Sequence, residues 1–145
     1  TEKNPGRRYM SETFPQEVQS KNRAVLLVDD EFSIRRVAGA VLEMNGYCVL
    51  SASNGAEALL IYQKHQKQID LVITDWSMPV MNGKACIQEI RKVNLNVPII
   101  LVTGSLEEIR DVGMKELGIQ ALLGKPFTQF DFLKTVESVL ESCNK

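Results

Sequence analysis

The stretch Leu71-Val72-Ile73-Thr74-Asp75-Trp76-Ser77-Met78-Pro79 decides the reading of this chain. An apolar run of strand-forming residues passes straight into a carboxylate, and a proline then breaks the path. That is the pattern of a buried parallel strand whose last side chain emerges at a sheet edge. In open α/β sheets the crevice beyond the carboxyl ends of the strands is where ligands bind, which is where Asp75 is expected. Three more runs end alike. Val25-Leu26-Leu27-Val28 leads into Asp29-Asp30, Ile99-Ile100-Leu101-Val102 into Thr103, and Ala121-Leu122-Leu123 into Gly124-Lys125-Pro126. Asp29, Asp30, Asp75, Thr103 and Lys125 are therefore expected to meet at one edge, as an acidic, metal-binding, phosphoryl-accepting site.

Outward from that stretch, strand and helix patterns alternate. Strands are expected over 24–28, 47–52, 69–74, 98–102 and 119–123, and helices over 32–45, 56–65, 83–93, 105–117 and from 128 onward. Local signals mark the boundaries: Gly46 as a helix stop, Asn54-Gly55 as a turn, Ser105 with Glu108 and Thr128 with Asp131 as N-terminal caps. Helical spacing points Ile34, Val37, Ala38, Val41 and Leu42 inward in the first helix, and Leu59, Leu60 and Tyr62 in the second. Ala85, Ile87 and Ile90 do so in the third, and Phe132, Leu133, Val136, Val139 and Leu140 in the last. Five β–α units in strict alternation imply the α/β class, as a flavodoxin-like (βα)5 doubly wound five-stranded parallel sheet with helices on both faces.

A chain of 145 residues is read as one domain large enough for a normal core. Its 17 basic and 18 acidic residues leave a net charge of −1, so no overall field favours nucleic acid or an anionic membrane. Apolar runs reach about five residues, far below the roughly 20 of a membrane span, and no signal-peptide pattern opens the chain. Cys48, Cys86 and Cys143 are odd in number and widely spaced, which points to a reducing, cytoplasmic setting with small apolar roles. Residues 1–22, with Pro5, Gly6 and Pro15, read as a polar tail or linker before a domain over 23–145. The absence of a methionine before Thr1 suggests a cut from a longer protein.

Three carboxylates in a small volume repel one another unless a cation joins them. Mg²⁺ suits the set: it takes oxygen ligands at about 2.0–2.1 Å, one or two of them carboxylates, together with phosphate oxygens. Calcium wants more protein oxygens than these loops supply, and no His or Cys stands at a strand terminus for softer metals. A carboxylate beside Mg²⁺ can attack phosphorus to give an aspartyl phosphate. Lys125, Thr103 and backbone N–H groups near Ser77 and Gly104 would then neutralise and cradle the phosphoryl oxygens.

These pieces resemble the receiver domain of bacterial two-component response regulators. The likeness rests on Asp29-Asp30, on Asp75 followed by Met78-Pro79 and Gly83, on Thr103-Gly104, and on Lys125-Pro126-Phe127, and it covers 24 to about 141. It implies that Asp75 is the phosphoacceptor and that Asp30, Asp75 and the carbonyl of Ser77 bind Mg²⁺ directly, with Asp29 helping through water. It implies that Thr103 and Lys125 contact the phosphoryl group, that a sensor histidine kinase or a histidine phosphotransfer domain is the donor, and that Lys125–Pro126 is cis. Leu122 departs from the pattern, standing where the family usually has an aromatic residue that couples phosphorylation to the surface. Ser77 and Ser105 occupy the positions thought to tune dephosphorylation.

Of the remaining residues, Trp76 reads as packing, His65 as solvated, and Arg35-Arg36 as an exposed face of the first helix. Ile34 has a competing reading as part of a kinase-docking patch. As for function, a phosphoaccepting switch competes with an unphosphorylated adaptor of the same fold. The intact five-residue set speaks against the adaptor and Leu122 for it. An aspartate-nucleophile phosphatase would want an acid two places after Asp75, where Ser77 stands, and a flavin-binding role would want a Ser/Thr-rich loop after the first strand. The polar leader and the sequence 124–128 favour the C-terminal receiver of a hybrid sensor kinase over a free-standing regulator.

Overall fold

The five apolar runs pair into a single parallel sheet. Its strands are β1 (Ala24–Val28), β2 (Cys48–Ala52), β3 (Ile69–Asp75), β4 (Ile99–Thr103) and β5 (Ala121–Gly124), in the order β2-β1-β3-β4-β5. The structure is a computed structural model and describes residues 23–143; the expected tail over 1–22 lies outside them. Helices α1 (Phe32–Met44), α2 (Gly55–His65), α3 (Gly83–Val93), α4 (Leu106–Val112), α5 (Met114–Leu117) and α6 (Gln129–Ser142) fill the connections. The order reverses at β1, which has β2 on one side and β3 on the other, and that reversal opens the crevice above β1 and β3.

Successive side chains of a strand face opposite ways, and this alternation divides the core in two. Leu26, Val28, Val72, Ile99 and Leu101 meet Ala58 and Tyr62 of α2 and Cys86, Ile87 and Ile90 of α3. Val25, Leu27, Leu71, Ile73 and Ile100 meet Ala38 and Leu42 of α1 and Phe132 and Val136 of α6. Each fully buried aliphatic side chain contributes about 1.5–3 kcal/mol. The helix starts follow local chemistry. Asn54, Asn82 and Thr128 cap α2, α3 and α6 by accepting the N–H of Glu57, Ala85 and Asp131 respectively.

Several expected details differ. The helix expected over 105–117 breaks at Gly113, whose φ of 96° and ψ of 131° leave the helical region. Ser105 makes no side-chain cap; its own N–H is taken by the Thr103 hydroxyl oxygen at 3.0 Å. In α2 the inward stripe is Gly55, Ala58, Tyr62 and His65, so Leu60 falls on the opposite side and is exposed, while His65 is buried rather than solvated. Val37 is exposed as well. Cys48 and Cys86 are buried as expected, but Cys143, just past the end of α6, is exposed.

At the end of the sheet away from the crevice, side chains lace the elements together. The Arg91 guanidinium donates through Nε and Nη2 to the carbonyl of Gly118 and through Nη1 to that of Asn94. Asn94 donates to the Tyr62 hydroxyl at 3.0 Å and accepts the N–H of Asn96 and Val97. Gln120 Oε1 accepts the N–H of Ile99 at 2.7 Å.

Candidate functional site

Strand register brings the polar termini together. Val28 is level with Thr74, so the next residues, Asp29 and Asp75, stand side by side. Asp75 is level with Val102, and Thr103 with Gly124, so Thr103 and Lys125 follow on the same rim. The five residues expected to converge do so. Ser77 lies two residues past Asp75, exposed at the start of the loop to α3.

Carboxylate oxygens of Asp29, Asp30 and Asp75 all lie within 4.8 Å of one another. Asp29 and Asp75 are buried, 3% and 5% exposed, whereas Asp30 faces solvent. Lys125, just past the last strand, bridges the two buried acids: its Nζ is 3.0 Å from Asp29 Oδ2 and 3.3 Å from Asp75 Oδ2, with Glu31 at 4.0 Å. The other oxygen of each acid is held by backbone. Asp29 Oδ1 accepts the N–H of Glu31, and Asp75 Oδ1 that of Trp76, both at 2.9 Å. The Lys125–Pro126 peptide is cis, as the resemblance implies.

Burial pushes the Asp75 carboxyl above its ordinary range and the charge of Asp29 pushes the same way, against the opposing pull of Lys125 and the Trp76 N–H. For Lys125, burial favours the neutral amine, but the hydrogen bond and charge of Asp29 and the charge of Asp75 outweigh it and hold the ammonium. A set of three oxygen ligands with excess negative charge fits a hard divalent cation such as Mg²⁺. The Thr103 side chain is buried, and its hydroxyl oxygen accepts the Ser105 N–H at 3.0 Å.

Some members escaped the reading of the sequence. The buried Thr74 hydroxyl donates to the Asp75 carbonyl at 3.0 Å, and Arg35 Nη1 donates to the Asp29 carbonyl at 2.7 Å. Thr74 sits inside an apolar run, where a hydroxyl carries no pattern. Arg35 looks like half of a surface pair, and only the close return of α1 over the β1 terminus reveals its role. Gly83 has a steric reason: a Cβ there would collide with the Asp75 carbonyl and lie 2.8 Å from Trp76 Cα. Its N–H donates to the Trp76 carbonyl at 2.8 Å. Gly104 has no such constraint, since a Cβ there would meet nothing within 4 Å.

The profile of the response regulator receiver domain matches residues 25–137. The chain belongs to the response regulator receiver family. This receiver is 42% identical over 122 residues to a probable transcriptional regulator, ycf27, of Guillardia theta, covering 83% of this chain and 46% of that protein. It is 34% identical over 125 residues to the sensor kinase CckA of Brucella abortus, covering 84% of this chain and 13% of the kinase. Among solved structures, the chemotaxis response regulator CheY4 of Vibrio cholerae superposes with a TM-score of 0.75 at 35% identity, covering 82% of this receiver and 99% of that chain. The receiver thus spans about half the length of the transcriptional regulator, or less, and a smaller part of the kinase. No helix among the described residues is long and apolar enough to cross a membrane.

Proposed function

We propose that this receiver accepts a phosphoryl group on Asp75 from a partner's phosphohistidine, in a Mg²⁺-dependent step of a two-component phosphorelay, and later loses it to water. The observation that carries this reading is the Lys125 ammonium bridging the carboxylates of Asp29 and Asp75 beside the exposed Asp30. An oxygen of Asp75 attacks phosphorus, the P–N bond to the donor imidazole breaks, and the imidazole nitrogen keeps the electron pair until it takes up a proton. Lys125 turns from Asp75 toward the incoming phosphoryl oxygens, and the Thr103 hydroxyl donates to another. Asp30, Asp75 and the Ser77 carbonyl would hold the ion, with Asp29 acting through water, as the resemblance implies. Mg²⁺, when bound, supplies positive charge that lets phosphate approach a cluster of carboxylates.

The donor is a sensor histidine kinase or a histidine phosphotransfer domain. A cleft of about 470 Å³ lined by Ile34, Val37, Lys125, Pro126 and Phe127 adjoins the site and suits the approach of such a partner. The chain promotes its own phosphorylation and dephosphorylation without turning over another substrate, and it works in the cytoplasm. Such a module makes up part of a transcriptional regulator and of a sensor kinase among the relatives, and nearly all of the CheY4 chain, so this receiver belongs to a signalling protein of one of these kinds, free-standing or larger.

Fluorescence of Trp76, the sole tryptophan and next to Asp75, tests the reading. Mg²⁺ should change it, and acetyl phosphate or beryllofluoride should change it again. Asp75→Asn should lose the second response. Silence throughout would favour the adaptor, and steady hydrolysis of a phosphomonoester would favour the phosphatase.

A further inference from the structure

Arg35 was expected on a solvated helix face, yet it is half-buried and turned back onto β1. Its Nη1 donates to the Asp29 carbonyl at 2.7 Å, and its guanidinium carbon lies 5.7 Å from the centroid of the Phe32 ring. Every polar group of Asp29 is thereby engaged. The N–H meets the Ala52 carbonyl, the carbonyl meets Arg35, and the two carboxylate oxygens meet the Glu31 N–H and Lys125. The carbonyl lies past the last residue of β1, beyond the strand's ladder with β2 and β3.

We propose that Arg35 is a positioning residue for the acidic cluster: by gripping the Asp29 carbonyl it fixes the peptide plane shared by Asp29 and Asp30, and so the direction of both carboxylates. The peptide unit is rigid, so holding its oxygen also sets its N–H and the Cα of Asp30. Asp30 depends on this more than its neighbours do. Among the described residues its carboxylate has no hydrogen-bond or ion-pair partner, so its direction comes from the backbone. The Phe32 ring keeps the guanidinium over the loop between β1 and α1. The inference rests on the reading of this cluster as a divalent-cation site.

Two roles for Arg35 predict opposite signs. A cation near a cation site only repels the ion, so deleting a spectator charge should tighten Mg²⁺ binding. Deleting a positioning residue should weaken it despite that relief. The test is Mg²⁺ titration of Trp76 fluorescence in the full chain, at fixed ionic strength, for the wild type, Arg35→Ala, Arg35→Met and Arg36→Ala. Circular dichroism verifies that each variant is folded. Arg35→Ala should raise the Kd by about three- to tenfold, the range expected for loss of one such hydrogen bond. Arg36→Ala, which removes an exposed charge one residue away, should leave the Kd unchanged or lower it. An unchanged or lower Kd for Arg35→Ala overturns the proposal. If Arg35→Ala does not fold, Arg35→Met decides: it keeps an apolar stem against Phe32 but carries no donor for the Asp29 carbonyl, and a Kd equal to or below the wild type's overturns the proposal equally. A wild-type chain that does not respond to Mg²⁺ would refute the cation site itself, a separate outcome.

Discussion

Replacing Lys125 with methionine removes the one ammonium that bridges two buried acids while keeping most of the side chain's length. The contacts at 3.0 Å to Asp29 and 3.3 Å to Asp75 are each a gross attraction of about 5 kcal/mol at an effective dielectric constant of about 20. Desolvation of the ammonium and the acids takes back much of this. Removing one partner of a buried pair typically costs about 3–5 kcal/mol, because an uncompensated charge stays behind. The Lys125 side chain keeps 21% exposure, so water eases the loss and the lower end, about 3 kcal/mol, is expected. A divalent cation offers the same acids a substitute charge. Mg²⁺ at about 100 times its Kd adds about 2.7 kcal/mol to a native state that binds it. The variant, freed of a competing ammonium, should bind the ion more tightly and gain more. Urea unfolding of wild type and Lys125→Met, followed by Trp76 fluorescence with EDTA or with Mg²⁺, measures both gaps. The gap should be about 3 kcal/mol without the ion and shrink by at least about 1 kcal/mol with it, a difference of several-fold in affinity. An equal or wider gap in Mg²⁺ would refute the idea that lysine and ion neutralise the same carboxylates.

Other outcomes can be checked with the same material. Gly83→Ala drives a methyl group into the Asp75 carbonyl and should cost about 1–3 kcal/mol and blunt the Mg²⁺ response; wild-type behaviour in both would show the close approach to be soft. Val80, exposed and β-branched, holds a φ of 69° in the loop after Asp75. Val80→Asn should raise stability by about 1 kcal/mol, and a lowered urea midpoint would disprove the strain. Because burial and Asp29 raise the folded-state value of Asp75, the native chain holds more protons than the unfolded one from the ordinary carboxylate value up to that raised value. In Mg²⁺-free buffer, stability should therefore fall as pH rises through this window. Asp75→Asn should lack that component, and identical pH profiles for the two proteins would contradict it.

Most of the fold was legible because each strand is a short apolar run closed by a polar residue, and each boundary carries its own turn or cap. The site was legible for the same reason: parallel strands deliver their last residues to one rim, so Asp29, Asp75, Thr103 and Lys125 could be assembled from order alone. What escaped depends on rotation and distance. Leu60 and His65 exchanged places because the small residues Gly55 and Ala58, not the leucines, set the inward stripe of α2. Gly113 was hidden within a helical period, and Ser105 makes no side-chain cap while its own N–H is held by the Thr103 hydroxyl oxygen, a local geometry that spacing does not reveal. Arg35 reaches a carbonyl six residues back, and such a contact leaves no compositional trace.

The lacing around Arg91 has a practical corollary. Asn94, Arg91 and Gln120 bind backbone ahead of or at the starts of β4 and β5, and Asn94 ties in the Tyr62 hydroxyl, all at the end of the sheet away from the crevice. Anchorage and reactivity thus occupy opposite poles of the sheet. Charge-altering substitutions at the crevice leave these anchoring contacts in place, so the far pole keeps its own hydrogen bonds even where, as in Lys125→Met, the crevice loses about 3 kcal/mol.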